Sequence, residues 1–289
     1  MRSTVTSGRT ASVLTPASGF IRAYKFTLNP YSGCGFACDY CYARFFAPSD
    51  DLRDSWGEWV RVKENAAETI GAAARTKDPR KRLEPGDSIF MSSVTDPYQP
   101  VEQKLGLTRR VLEALLPFQP RLTVQTRSPI ARRDIDLFQQ FRAIRVNFSV
   151  PTDSEAVRLR YEPHAPSIKA RLGTAEAIRA SGVPIGICVS PMLPMVDAAA
   201  FGQRFSALEA AEYVATGFHR PGRQFGAQTR VETLEKLRDD GWTRSKYERA
   251  REAIRDTLGP RRQLSDGRQG FAPAEERRDL CRRGITKAF

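Results

Sequence analysis

Histidine and cysteine are scarce in this chain of 289 residues, which has two of the first, His164 and His219, and five of the second. That scarcity leaves no second pair of Cys or His at short spacing, so the closed four-ligand site of a structural zinc is excluded. Five thiols, three of them within eight positions, also lack the dispersed partners of a disulfide framework in a small secreted chain. No run of eighteen apolar residues occurs, and the first twenty residues, rich in Ser, Thr and Gly, lack the apolar stretch of a secretory signal. A cytoplasmic protein with no membrane partner is the expectation. Paired carboxylates placed for acid–base work, a phosphate-cradling glycine loop and internal repeats beyond a βα rhythm are missing too.

Positive charge is abundant. Lys and Arg number 46 against 33 Asp and Glu, a formal charge of +13. Clustered cations release counterions when they meet phosphates, so nucleic acid or another polyanion is a candidate partner. An Arg-rich composition produces the same excess without any such partner. With 40% hydrophobic residues the chain can bury one large core, which suggests a single domain with appendages.

Short β-branched or aromatic runs alternate with longer helical stretches. The runs predict strands at Tyr24–Leu28, Ser88–Ser93, Arg121–Thr126, Ile144–Val150, Pro184–Ser190 and Glu212–Phe218. Between them helices are expected near Glu64–Thr76, Gln103–Leu116, Asp134–Arg142, Ile168–Ser181 and Ala198–Ala211. Alternation of this kind implies parallel strands with crossover helices. Six units suit an α/β fold built as a partial (β/α)6 TIM-type barrel with a C-terminal helical extension. The expected organisation is a polar lead-in over 1–20, the barrel over 21–228 and a basic helical extension over 229–289, the last containing Thr229–Asp239, Ser245–Leu258 and several Arg pairs.

The unusual residues fall after the strands, where sites in such folds gather. After the first strand, Cys34, Cys38 and Cys41 are spaced C-x3-C-x2-C on one loop. A [4Fe–4S] cluster normally takes four thiolates, so three leave one iron open. A chelating amino-carboxylate such as the methionine part of S-adenosylmethionine (SAM) can occupy that iron and bring its sulfonium beside the cluster.

This spacing, with Tyr40 just before the third cysteine, resembles the signature of the radical SAM superfamily. Thr27–Arg44, Trp56–Asn65, Thr95–Glu102, Arg133–Leu137, Glu162–Arg171 and Ser190–Pro194 resemble the branch that includes spore photoproduct lyase. The resemblance implies that Cys34, Cys38 and Cys41 bind the cluster and that Tyr40 packs near the SAM adenine. It places the loop from Ser92 and Ser93 through Thr95 to Asp96 near the methionine end, Arg127 where relatives often carry Lys, and Ser149 opposite the ribose or carboxylate. Hydroxyls at Ser93, Thr95 and Ser149 equally suit capping of strand-end backbone, and Arg127 equally suits a surface cation. A flavodoxin- or ferredoxin-like one-electron reductant is implied as partner.

Repair-active spore photoproduct lyases carry a hydrogen-donating cysteine near the second strand, where this chain has Ser92 and Ser93. An alcohol O–H is far harder to break homolytically than a thiol S–H, so that repair activity does not carry over. Period-two alternation from Ser190 turns Cys188 into the barrel, as a candidate hydrogen donor or a small buried hydrophobe. Tyr98 and Tyr42 are candidate radical relays, Trp56 and Trp59 either base-stacking or covering residues, and Cys281 incidental. The expected activity is cleavage of SAM to a 5′-deoxyadenosyl radical that abstracts hydrogen from a substrate, with nucleic acid favoured by charge and by this resemblance. A small molecule or peptide is the second substrate class, and a non-catalytic iron–sulfur nucleic-acid-binding protein the third reading.

Overall fold

The structure is a computed structural model that describes residues 3–218, 228–260 and 262–273. His219, Cys281 and the Arg pairs at 277–278 and 282–283 lie outside the described residues. The strands are β1 (Thr4–Gly8), β2 (Leu14–Pro16), β3 (Phe26–Leu28), β4 (Tyr31–Gly33), β5 (Trp59–Lys63), β6 (Ser88–Met91), β7 (Arg121–Thr126), β8 (Ile144–Ser149), β9 (Ile185–Val189), β10 (Glu212–Ala215) and β11 (Leu264–Ser265). The helices are α1 (Asp50–Asp54), α2 (Ala66–Ala74), α3 (Glu102–Leu105), α4 (Leu107–Leu115), α5 (Ile135–Phe138), α6 (Glu155–Tyr161), α7 (Ile168–Ala180), α8 (Ala198–Ala207), α9 (Val231–Asp239), α10 (Arg244–Leu258) and α11 (Gly267–Phe271).

The main sheet has eight strands in the order β11-β10-β9-β8-β7-β6-β3-β2. All neighbours are parallel except β2 against β3. The six expected strands are therefore consecutive in space as in sequence, the arrangement of a partial (β/α)6 barrel. Among the described residues no helix is long and apolar enough to cross a membrane.

The structure adds three particulars to these expectations. The polar lead-in contains β1 and β2, because backbone pairing to β5 and β3 does not require apolar side chains. The helix expected over Gln103–Leu116 breaks at Gly106, whose φ of +59° ends α3 and begins α4. The described residues of the C-terminal extension pack on the barrel. In it β11 pairs with β10, α10 packs on α8, and Phe271 of α11 lies 5.7 Å from the Phe20 ring and 6.2 Å from that of Phe90.

Side chains alternate across the sheet. Leu122, Val124, Val146, Phe148, Ile187 and Tyr213 enter the large apolar core beneath the helices. The opposite, inner face of β7–β10 carries Gln125, Arg145, Asn147, Ser149, Cys188 and Glu212, most of them buried. Parallel sheets are ordinarily apolar on both faces, so this polar inner face is a departure. Gly186 permits it: a Cβ there would lie 2.2 Å from Asn147 Oδ1.

Candidate active site

A second, three-stranded sheet, β1-β5-β4, sets the start of the cysteine loop. In it Gly33, the residue before Cys34, pairs with Val60. Its φ is +74° and a Cβ would meet Trp59 O at 2.5 Å, so only glycine closes the strand into the loop here. Trp59 lies on β5, donates Nε1–H to Leu52 O at 2.7 Å and meets Trp56 edge-on at 5.9 Å, and Trp56 packs against the buried group that includes Cys34 and Cys38.

The loop is tied from several sides. The Thr95 hydroxyl donates to Gly33 O at 2.6 Å, and Gly35 N donates to Gln99 Oε1 at 2.9 Å. Asp39 N donates to Tyr161 O at 2.9 Å, while Lys236 Nζ from α9 reaches Asp39 Oδ2 at 2.5 Å. The segment after β6, the end of α6 and helix α9 thus meet at the cysteine loop.

Cys34 and Cys38 are buried and Cys41 is half-buried. Burial, followed by the neighbouring charge of Asp96, pushes the Cys34 thiol up to about 12. Burial raises Cys38 far above the ordinary thiol range against the pull of Arg127, and raises Cys41 as well. Thiols in such a setting are ionised by coordination to a cation rather than by water. Among the described residues no three His, Cys, Asp or Glu side chains converge as ligands of a single metal ion. Three cysteines on one loop with no second Cys or His pair at short spacing suit a cubane that leaves one iron open better than the closed four-ligand site of zinc. The donor set therefore fits a [4Fe–4S] cluster with one iron left for an outside ligand.

Arg127, at the carboxyl end of β7, faces this loop. Its Nη1 donates to Cys38 Sγ at 3.0 Å, to the Tyr40 hydroxyl at 2.9 Å and to Glu162 Oε1. Tyr40 also donates to Glu162 Oε1, and its ring lies edge-on to Phe218 at 6.4 Å. On the other side of the carboxylate, Arg171 Nη2 donates to Glu162 Oε2 at 2.5 Å while its Nη1 holds Ser149 O at 3.1 Å. Burial pushes the Glu162 carboxyl up, but Arg127 and Arg171 outweigh it and keep the pKa below the usual range.

The remaining expected residues divide by role. Asp96 accepts from the Thr126 hydroxyl at 2.7 Å, Arg127 N at 2.9 Å and Tyr98 N at 2.9 Å, joining the β6 and β7 loops. Ser93 Oγ shares a hydrogen bond of 2.7 Å with the Thr27 hydroxyl, and Tyr42 donates to Ser93 O. Ser92 has a φ of +72°, and its buried Oγ has no hydrogen-bond partner among the described residues. Ser149 Oγ accepts from Gln125 Nε2 at 2.8 Å, and Cys188, opposite Ser149 in register, approaches Gln125 Oε1 at 3.8 Å. Tyr98 is not brought to the site. It lies beneath the helices, donating to Asp134 Oδ2 at 3.0 Å against the Phe138 ring, because the chain turns after Asp96.

Glu162, Arg171, Gln99, Gln125 and Asn147 have no distinguishing sequence signal as site residues. Glu162 and Arg171 are nine positions apart and match no helix or strand period; only their inclusion in a stretch resembling relatives marked them.

Comparison with known proteins agrees with this geometry. The model of the Radical SAM superfamily matches residues 28–200, more than half of the chain. An uncharacterized protein of Methanocaldococcus jannaschii is 33% identical over 170 residues, 59% of this chain and 61% of that one. An uncharacterized protein of Acidianus two-tailed virus is 32% identical over 175 residues, 58% of this chain and 56% of its own length. The matches thus span little more than half of those relatives. Spore photoproduct lyase complexed with dinucleoside spore photoproduct superposes with a TM-score of 0.59 at 16% identity, covering 88% of this chain and 80% of that one. The radical SAM methyltransferase TsrM from Kitasatospora setae, with tryptophan and a SAM analogue bound, gives 0.54 at 12% identity, covering 91% and 59%. These likenesses show a shared fold, and the family match over the three-cysteine loop and the strands behind it makes this chain a member of the radical SAM superfamily.

Proposed function

We propose that this protein holds a [4Fe–4S] cluster on Cys34, Cys38 and Cys41, binds SAM at the open iron and abstracts hydrogen from a substrate lying along the inner face of the sheet. The observation that carries the reading is the single loop bearing three thiols, two buried and one half-buried, after the parallel strands, with no further cysteine or histidine at short spacing. When bound, the cluster supplies one electron, from a flavodoxin- or ferredoxin-like donor, that cleaves SAM to methionine and a 5′-deoxyadenosyl radical. The chain's own residues do the positioning. Arg127 and Tyr40 flank the Cys38 thiol, Ser92 offers an unpartnered buried hydroxyl at the strand end, and Ser149 presents its hydroxyl from β8. Cys188, on the same inner face, is the candidate hydrogen donor to a substrate radical.

Anaerobic reconstitution tests this reading. About four irons per chain are expected, as one cubane requires, together with reductive formation of 5′-deoxyadenosine, both lost in Cys38→Ala. Stoichiometric zinc in place of iron overturns it.

For the substrate, the charge of +13 favours nucleic acid. Binding to single or double strands should then weaken steeply with salt; absent or salt-independent binding overturns this part. Ser92 and Ser93, standing where a repair lyase carries its thiol, favour a small molecule or peptide as the second reading.

A further inference from the structure

Two cations and one anion are buried together behind the cysteine loop. The side chains of Arg171 and Glu162 have no exposed surface, and that of Arg127 is 15% exposed. Both guanidiniums share the carboxylate of Glu162, so among the carboxylates that their N–H groups meet directly one positive charge is in surplus. Buried charge is tolerated only where another charge answers it. Arg158, beside them, is already paired with Glu155 at 2.5 Å, and Asp96 receives the backbone N–H of Arg127 rather than its guanidinium. The surplus is directed at sulfur, because Arg127 Nη1 lies 3.0 Å from Cys38 Sγ.

Resting on the iron–sulfur reading above, we infer that Arg127, held in place by Glu162 and Tyr40, raises the reduction potential of the cluster by donating to the Cys38 thiolate. Net charge and hydrogen bonds to the sulfurs are the protein's levers on such potentials. An added electron makes the cluster more negative, so a fixed cation and an N–H donor stabilise the reduced form more than the oxidised one. No proton moves in this step; one electron passes from the donor to the cluster. Glu162 acts oppositely, as a positioning residue that also subtracts part of the positive field.

The test is an EPR-monitored redox titration of the reconstituted full chain without SAM, with iron counted in each sample. In Arg127→Gln the reduction equilibrium should fall at least tenfold, about 59 mV for a one-electron couple, with iron content retained. Arg127→Lys should fall between that variant and the wild type. Glu162→Gln should shift the potential upward. An unchanged potential in Arg127→Gln, or a fall in Glu162→Gln, overturns the inference. Should Arg127→Gln fail to hold iron, the signs in Arg127→Lys and Glu162→Gln decide the matter. A wild type without iron would sink the iron–sulfur reading itself, whereas iron with unmoved potentials sinks this inference alone.

Discussion

The Arg171 guanidinium donates to the Glu162 carboxylate at 2.5 Å with neither side chain exposed. Removing one partner of such a pair strands the other's charge. Arg171→Met should cost about 3–5 kcal/mol, read as a lowered denaturant midpoint at unchanged slope. Arg171→Met combined with Glu162→Leu should cost less than the sum of the two single changes, and additive losses would argue against the pairing.

Acid should expose the same carboxylate. The folded pKa of Glu162 is depressed, with burial opposing and Arg127 and Arg171 prevailing. Its stabilisation is therefore complete above the unfolded value, about 4.3, and is lost as pH falls through the folded one. Unfolding midpoints measured from neutral pH downward should show this component of the acid limb in the wild type and not in Glu162→Gln. Coincident limbs would refute the assignment.

Gly186→Ala should disturb the inner face. The new Cβ would lie 2.2 Å from Asn147 Oδ1 and 3.5 Å from Glu212 Cβ. A loss of about 1–3 kcal/mol is expected for overpacking of this kind, measured by thermal unfolding. A neutral result would mean that Asn147 moves aside freely.

Tyr98→Phe separates packing from radical transfer. Loss of the hydrogen bond to Asp134 should cost about 1 kcal/mol, and 5′-deoxyadenosine formation should be unchanged. A slowed reaction with iron retained would restore Tyr98 to the chemistry.

Periodicity made the six central strands legible, since Val, Ile and Phe along β8 and β9 meet the helices at every second position. The cluster loop was legible because three cysteines within eight positions have few other chemical uses. Short elements were not. Thr4–Gly8 and Leu14–Pro16 are strands through partners ten or more residues away, which no local pattern records. The alternation that placed Cys188 inward also places Gln125 and Asn147 there, but polar residues in a strand ordinarily signal a solvated face. Glu162 was hidden for a different reason: a charged residue is read as exposed unless its buried partners are known, and both of them come from other elements.

The amide and guanidinium groups of the inner face have one further consequence. A guanidinium can only donate, so Arg145 Nε, 2.9 Å from Asn147 Oδ1, fixes which end of that amide is oxygen. Asn147 must then donate from Nδ2 to Gln125 Oε1 at 3.2 Å, and Gln125 from Nε2 to Ser149 Oγ at 2.8 Å. Every bond in this series runs in one direction, from the depth of the sheet toward its carboxyl edge. At its end the Ser149 oxygen accepts from Gln125, so its own proton is not used in this series. An arginine two strand positions below Asn147 thus keeps the proton of the last hydroxyl available for donation, beside its one remaining lone pair.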